Sequence, residues 1–362
     1  MQIRDCLVVV TGGAGFIGSH LVDVLLRQGN EVVVIDDLSG GSRDNLAHHQ
    51  GNPRLHLEEA SVLDEQAMMS LLRGVRFVFH LATQNVRLSL RRPSIVHEVN
   101  ATGTLNVLKA ATAARVARLL YCSSSEVNGS ADIVPMPEDY HFRPETIYGA
   151  TKLAGEYYTQ VFQRAGWLPT VIARPHNNYG PREHYEDFKG EVIPRFILWA
   201  LARQPLVIFG DGAQTRDFTY VEETAEIMVE LMGCESATGL AVNICRGEEV
   251  SVREVAQLIL ELTGGETIIE HRAARPSDVL RLFGDPGRLR RVIGRVPMVS
   301  IRDGLLRTIA WFREHVPPSE AVLARLKPEN WSEVAPESWL LQVVSEGKPV
   351  SSISTADGAR QQ

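Results

Sequence analysis

Tyr148 and Lys152 carry the chemistry that can be read in this chain. Four residues apart on a helix, they share a face and stand one turn from each other. An unperturbed phenol titrates near ~10, too high for a base at neutral pH. A neighbouring ammonium favours the phenolate and lowers that value. Upstream, the apolar run Val116 to Leu120 leads through Tyr121 and Cys122 into Ser123-Ser124-Ser125-Glu126. A hydroxyl at a strand end beside the phenol would hold a substrate oxygen. Together these groups form a device for moving a proton to or from an alcohol or carbonyl. Most Tyr-x-x-x-Lys pairs are surface helix pairs contributing a few tenths of a kcal/mol, so its weight rests on what positions it.

The positioning elements begin at the N-terminal end. Cys6 to Val10 is a short apolar run, followed by glycines at Gly12, Gly15 and Gly18 and a helical pattern from Phe16 and Ile17 onward. A strand, a glycine-rich turn and a helix make a cradle for a pyrophosphate at a helix N-terminus. A second strand, Glu31 to Ile35, ends at Asp36-Asp37. A carboxylate there accepts from a ribose 2′-hydroxyl and repels a 2′-phosphate, which favours NAD over NADP; nearby Arg43 keeps NADP open. Leu55 to Leu57 reads as a third strand and Phe77 to Thr83 as a fourth, with a helix from about Val96 carrying Asn100 and Gly103-Thr104. Strands alternating with helices imply an α/β fold with a doubly wound parallel (Rossmann) sheet. Ligands of such sheets lie beyond the carboxyl ends of the strands, so Thr83, Ser124 and Tyr148 should converge there.

After the strand Thr170 to Ala173 the regular alternation is lost. A polar stretch, Glu183 to Gly190, precedes Val192-Ile193-Pro194-Arg195-Phe196 and a helix. Leu206 to Phe209 and the turn Gly210 to Phe218 read as a strand and loop reaching into a site, and Asn243, a helix Val252 to Leu262 and Arg275 follow. The expected organisation is a Rossmann domain over 1–175 plus 217–245, interwoven with a smaller C-terminal substrate lobe over 176–216 and 246–316. Pro317-Pro318 then breaks the preceding helix. The extension 317–362 carries Trp331 and Trp339, which would pack on the body or on a partner subunit, and its polar end is expected to be disordered.

Bulk properties narrow the classes. The chain has 362 residues, 44% hydrophobic and 22% charged, with a net charge of -7. That argues against general affinity for nucleic acid. Cys6, Cys122, Cys234 and Cys245 lack metal-site spacing, so no metal and no disulfide framework is expected. With no run of 18 apolar residues and a first segment that reads as a strand, no membrane association is expected and a cytoplasmic location is.

In order along the chain, Thr11-Gly12-Gly13-Ala14-Gly15-Phe16-Ile17-Gly18, Asp36-Asp37-Leu38-Ser39, His80-Leu81-Ala82, Asn100 with Gly103-Thr104, Ser123-Ser124-Ser125, Tyr148 with Lys152, Asn177 and Arg216-Asp217-Phe218 resemble the extended short-chain dehydrogenase/reductase family, in its nucleotide-sugar epimerase/dehydratase branch. The likeness spans roughly Val8 to Phe312. It implies tightly bound NAD, held by residues including Val62, Leu81, Ala82 and Thr83, with Ser61 in place of the family's adenine-contacting Asp. It implies Tyr148 as the base at the sugar C4-hydroxyl, Lys152 on the nicotinamide ribose and Ser124 on the same oxygen. Asn177 resembles the residue holding the diphosphate; Arg216 and Arg275 resemble the basic grip on nucleotide and phosphates. Gln84, Arg182 and Arg195 are further candidates for the nucleotide-diphosphate sugar. A homodimer is implied as well. Asn128 stands where the family usually has Tyr.

The branches share a 4-keto intermediate and differ afterwards. Ser124-Ser125-Glu126 resembles dehydratases and decarboxylases, with Glu126 placed at C5, and Asn177-Asn178-Tyr179-Gly180-Pro181 looks like a dehydratase segment. Asp36-Asp37-Leu38-Ser39 and Asp211 to Phe218 look like UDP-glucose-type 4-epimerases. The expectation leans narrowly to 4,6-dehydratase-type chemistry, with 4-epimerisation next and decarboxylation of a uronic acid after it. A non-catalytic nucleotide-binding protein and a scaffold acting through the Trp-bearing tail are the alternatives from other classes.

Overall fold

A computed structural model describes residues 1–274, 280–329 and Glu337. The apolar runs of the first half pair into one parallel sheet. Its strands are β1 (Leu7–Thr11), β2 (Glu31–Ile35), β3 (Leu55–Glu58), β4 (Phe77–His80), β5 (Arg118–Cys122), β6 (Thr170–Pro175) and β7 (Ala241–Ile244). They stand in the order β7-β6-β5-β4-β1-β2-β3, so the winding reverses between β1 and β4. This is the expected doubly wound α/β architecture.

Both faces of the sheet are covered, which is why its strands are nearly all apolar. Val8 and Val10 enter one core with Phe77, Phe79 and Leu120, while Val9 enters the other with Val78, Leu119 and Tyr121. The helices Phe16–Arg27 and Val221–Gly233 close the first core through Leu21, Leu25 and Met228. Helices Glu65–Leu71, Thr104–Ala113 and Ile147–Arg164 close the second through Met68, Val107 and Phe162. The helix anticipated from Val96 is more complicated. Pro93–His97 is α-helical, Glu98–Gly103 widens into a π-turn, and Thr104–Ala113 resumes the α-helix. Such bulges sit preferentially at functional sites, and this one carries Asn100.

A third core forms from helices Val192–Leu201, Val252–Thr263 and Ile301–His315, with Phe196, Ile259, Ile309 and Phe312 inside. The parallel pair Leu206–Phe209 and Ile269–Arg272 completes it. Between these segments the chain returns to the sheet as helix Val221–Gly233 and β7. A short helix, Glu320–Ala324, and buried Leu326 continue onto this third core. Arg275, Trp331, Trp339 and the polar end lie outside the described residues. No helix among the described residues is long and apolar enough to cross a membrane.

One buried ion pair fixes the Tyr148 helix on the sheet. Arg174 of β6 donates through Nε and Nη2 to the two carboxylate oxygens of Glu156, each at 2.7 Å. Its Nη1 donates to Glu138 O at 2.8 Å, and its guanidinium lies 5.0 Å from the centre of the Phe142 ring. The bidentate geometry and extra acceptor satisfy a charge that burial would otherwise penalise.

Candidate active site

A cleft runs along the carboxyl ends of the strands, from the glycine turn after β1 to Phe218 in the third core. At its first end the turn can only be glycine. Gly12 has φ of +72°, and a Cβ there would lie 2.7 Å from Ala82 N. At Gly18 a Cβ would come within 2.1 Å of Gly12 O. The helix that follows has Gly15 at its N-cap with no side chain bonded to its first amides. Those amides and the helix dipole favour an anion. Asp36, at the end of β2, accepts from Ala14 N at 3.0 Å and Leu38 N at 2.9 Å. It therefore ties the glycine turn to the next loop while still bordering the cleft; burial pushes its carboxyl above the usual range. Cradle, helix end and carboxylate fit a dinucleotide.

The end of the cleft that holds Ser124 and Tyr148 is built from two elements. Thr146 caps helix Ile147–Arg164 by accepting from Gly149 N at 3.0 Å, which starts the helix one residue before Tyr148. Ser124 caps the short turn Ser125–Val127, its Oγ accepting from Glu126 N at 3.2 Å. Ser124, Ser125, Glu126, Tyr148 and Lys152 all line the cleft. Burial pushes the Tyr148 phenol above its ordinary value; a hydrogen bond with Ser124 pulls it down, and Cys122, Glu126 and Glu191 push it up again. This corrects the expectation of a phenol made acidic by its amine. Lys152 is only 2% exposed, its Nζ lies 4.8 Å from the centre of the Tyr121 ring, and burial lowers its own pKa. Burial is the largest influence on the phenol, ahead of each of its polar neighbours.

Behind them a neutral histidine locks the sheet to the cofactor side. Thr104 Oγ1 donates to Asn100 O, so it accepts from His80 Nε2 at 2.9 Å, leaving Nδ1 to accept from Thr11 Oγ1 at 2.7 Å. Burial depresses the His80 pKa to about 3, with Lys152 adding to the effect.

The remaining expected residues divide. Phe16, Ile17, Asp37, Val62, Leu81, Ala82, Thr83, Gln84, Asn177, Arg195 and Arg216 line the cleft. Asn177 has φ of 25°, and its Nδ2 is buried with no hydrogen-bond partner among the described residues. Asn100 stands one layer back, where it accepts from Gln84 N at 2.7 Å and from Thr83 Oγ1 at 3.0 Å, and so shapes the loop that does line the cleft. Ser61 also stays outside, its Oγ accepting from Leu63 N. Arg182 turns away altogether: its guanidinium bonds Asp23 Oδ2 and His20 Nδ1, each at 2.6 Å, and Asn45 O at 3.1 Å. The same Asp23 takes His48 and His49 on its other oxygen, a network drawing Arg182 to the outer face.

Sequence reasoning missed a cluster on the far wall: Arg87, Glu183, His184, Lys189 and Glu191. Arg87 donates to Phe188 O at 2.7 Å, to Lys189 O at 2.9 Å and to Glu191. Glu183 is 4% exposed; burial pushes its carboxyl well above the ordinary range, with Glu191 adding to it. Lys189 Nζ reaches Ser39 O at 2.7 Å, and Gln84 Nε2 reaches Ser39 Oγ at 2.9 Å, so the two sides of the cleft touch. The polar stretch Glu183 to Gly190 was visible in the sequence, but its length and charge gave no sign of which side chains face inward.

Comparison with known proteins agrees with this geometry. The family model described as "NAD dependent epimerase/dehydratase family" matches residues 8–245. A putative UDP-glucose 4-epimerase of Methanocaldococcus jannaschii is 33% identical over 316 residues, covering 85% of this chain and 99% of the relative. The crystal structure of a UDP-glucose 4-epimerase from Thermotoga maritima with UDP-glucose superposes with a TM-score of 0.81 at 31% identity, over 85% of this chain and 99% of that one. A dTDP-glucose 4,6-dehydratase from Streptomyces venezuelae with NAD bound gives 0.81 at 32% identity, over 87% and 99%.

Proposed function

The chain belongs to the NAD dependent epimerase/dehydratase family, and from that premise we propose that it is a 4-epimerase of nucleotide-diphosphate hexoses of the UDP-glucose type. One observation carries the choice. Dehydration requires a carboxylate base and a separate proton donor, and here Glu126 is preceded by Ser125, a 3% exposed hydroxyl, rather than by an acid. Epimerisation at C4 needs only Tyr148, Lys152 and Ser124. The UDP-glucose 4-epimerases among the relatives support the same reading, and it displaces the dehydratase leaning drawn from Glu126.

NAD, when bound, supplies hydride-accepting and hydride-donating chemistry at C4. Tyr148 takes the C4-hydroxyl proton and later returns it, while Ser124 holds that oxygen in place. Because burial, Glu126 and Glu191 hold the phenol above its ordinary range, proton abstraction is the step that quickens as pH rises. Lys152 stands one turn along the same face, placed for the nicotinamide ribose. Asn177, with its unpartnered Nδ2, and Arg216, whose planar fork suits phosphate oxygens, hold the diphosphate. Exposed Leu105, Tyr157 and Val161 on helices Thr104–Ala113 and Ile147–Arg164 form an apolar face suited to a second copy, giving a homodimer.

A dehydratase remains the second reading because Glu126 lies near enough to Tyr148 to act on it electrostatically. Incubation with UDP-, dTDP-, GDP- and CDP-hexoses and uronates, read by product mass and C4 configuration, decides. Inversion without mass change is expected. Loss of water or of carbon dioxide would overturn epimerisation in favour of dehydration or decarboxylation, and no product from any sugar would overturn the enzyme reading.

A further inference from the structure

We propose that the segment Ser319–Glu329 is a specificity strap, with Arg325 the positioning residue that sets the far wall of the sugar site. The inference rests on the reading of the cleft as a nucleotide-sugar site. That wall is the loop 183–191, which carries Glu183, His184, Lys189 and Glu191 into the cleft.

Two independent links join the strap to the cleft. In the first, Arg325 grips the loop: its Nη1 donates to Glu186 Oε1 at 2.7 Å and its Nη2 to Asp187 Oδ2 at 3.0 Å. The backbone repeats the contact, with Asp187 N donating to Arg325 O at 2.9 Å. In the second, the carbonyls of Lys327 and Pro328 accept from Arg195 Nη1 at 2.9 and 3.0 Å. Arg195 lines the cleft and is itself held to the loop, its Nε donating to Glu191 O at 3.2 Å. Buried Leu326, between the two links, anchors the strap in the third core with Phe312 and Ile309.

The loop has a reason to need such a hold. Its short turn, Asp187–Lys189, has no side-chain cap, and Asp187 takes a φ of 45°. Its inward residues place Glu183 beside Glu191, with Arg87 between loop and cleft wall. Arg87 holds the inner side of the loop through Phe188 O, Lys189 O and Glu191; the outer side, Glu186 and Asp187, is held by Arg325. Glu186 and Asp187 face the strap while Glu183 and Glu191 face the sugar, so the loop is divided between the two. Moving the strap therefore moves the groups that meet the sugar, without touching Tyr148, Ser124 or the glycine turn. The relatives described above align over 99% of their own length while covering 85–87% of this chain, so the chain carries material beyond what they share.

The test uses full-length Arg325→Ala and Arg325→Lys. Amide hydrogen exchange is followed over 183–191, and KM and kcat are measured for UDP-glucose, UDP-N-acetylglucosamine and UDP-glucuronate. A partly exposed clamp is modest in strength, so Arg325→Ala is expected to speed exchange of the loop about two- to fivefold. It should change the ratio of kcat/KM between sugars by a similar factor, mainly through KM, with the melting temperature and bound NAD unchanged. Arg325→Lys, which keeps one charge but loses the fork, should fall between. Unaltered exchange in Arg325→Ala overturns the strap. Faster exchange with the same sugar ratios overturns its role in specificity. A wild-type chain that turns over none of the three sugars overturns the reading of the cleft instead, while the exchange measurement still judges the clamp.

Discussion

Replacing Tyr148 with Phe removes one oxygen and leaves the ring, its packing and the helix cap at Thr146 in place. In the folded protein that oxygen has the Ser124 side chain as its hydrogen-bonding neighbour. Loss of a single such bond costs about 1 kcal/mol. The melting temperature should therefore fall by no more than about 3 °C. Turnover should behave quite differently. A positioned general base contributes about 10²- to 10⁴-fold, or roughly 3 to 5 kcal/mol of barrier at 1.36 kcal/mol per tenfold. The oxygen is also the shared end of the Ser124 contact, which places the expectation toward the larger figure. The assay is conversion of the best nucleotide sugar by wild type and variant across pH, with circular dichroism melts and the NAD content of each preparation alongside. Wild-type turnover should rise with pH, since the phenol is held above its ordinary range, and the variant should show no such rise. A variant retaining more than about a tenth of wild-type kcat, with NAD and fold intact, refutes the assignment of Tyr148 as the base.

Three further outcomes follow from the same structure. Glu126→Gln should lower 4-epimerisation less than about tenfold, because a general base at C5 is idle in that reaction; loss of all product would restore the dehydratase reading, and product mass is the check. Glu156→Gln strands the Arg174 guanidinium in the interior and should cost about 3–5 kcal/mol of stability by urea denaturation, with less than about 1 kcal/mol showing that the pair is dispensable. His80 is held neutral with a folded pKa of about 3, below its unfolded value near ~6.5. As pH falls below the unfolded value the unfolded chain takes up a proton that the folded chain refuses, so stability is lost between the two values. At pH 5 that amounts to about 2 kcal/mol. Wild type should therefore lose that much more than His80→Gln between pH 7 and 5, and parallel curves would exclude the effect.

Much of the sheet and the first half of the cleft was legible because their signals are local. Gly12, Gly15 and Gly18 between an apolar strand and an amphipathic helix define a turn whatever the rest of the chain does. Tyr148 and Lys152 share a face because a helix fixes their spacing. Asp36 falls at the end of β2 because the apolar run stops there. Arg182 was misplaced for the opposite reason. Asn178 and Glu183 on either side of it line the cleft, but its guanidinium follows Asp23 and His20, which come from a helix more than a hundred residues earlier.

Residue type and spacing by themselves determined which segments become strands and helices, the glycine turn of the dinucleotide cradle and the paired Tyr and Lys, since each is a local signal; the doubly wound sheet followed because alternating strands and helices leave few other ways to pack. Tertiary structure alone decided the electrostatic state of that pair and the far wall of the cleft. The phenol is raised chiefly because the fold buries it, with Glu126 and Glu191 from two separate segments adding to the effect, while Lys152 lies over the Tyr121 ring. The wall is set because Arg325 and Arg195 tie the strap to the loop 183–191. Charge and burial act through distance in space, and distance in space between remote segments exists only once the chain has folded.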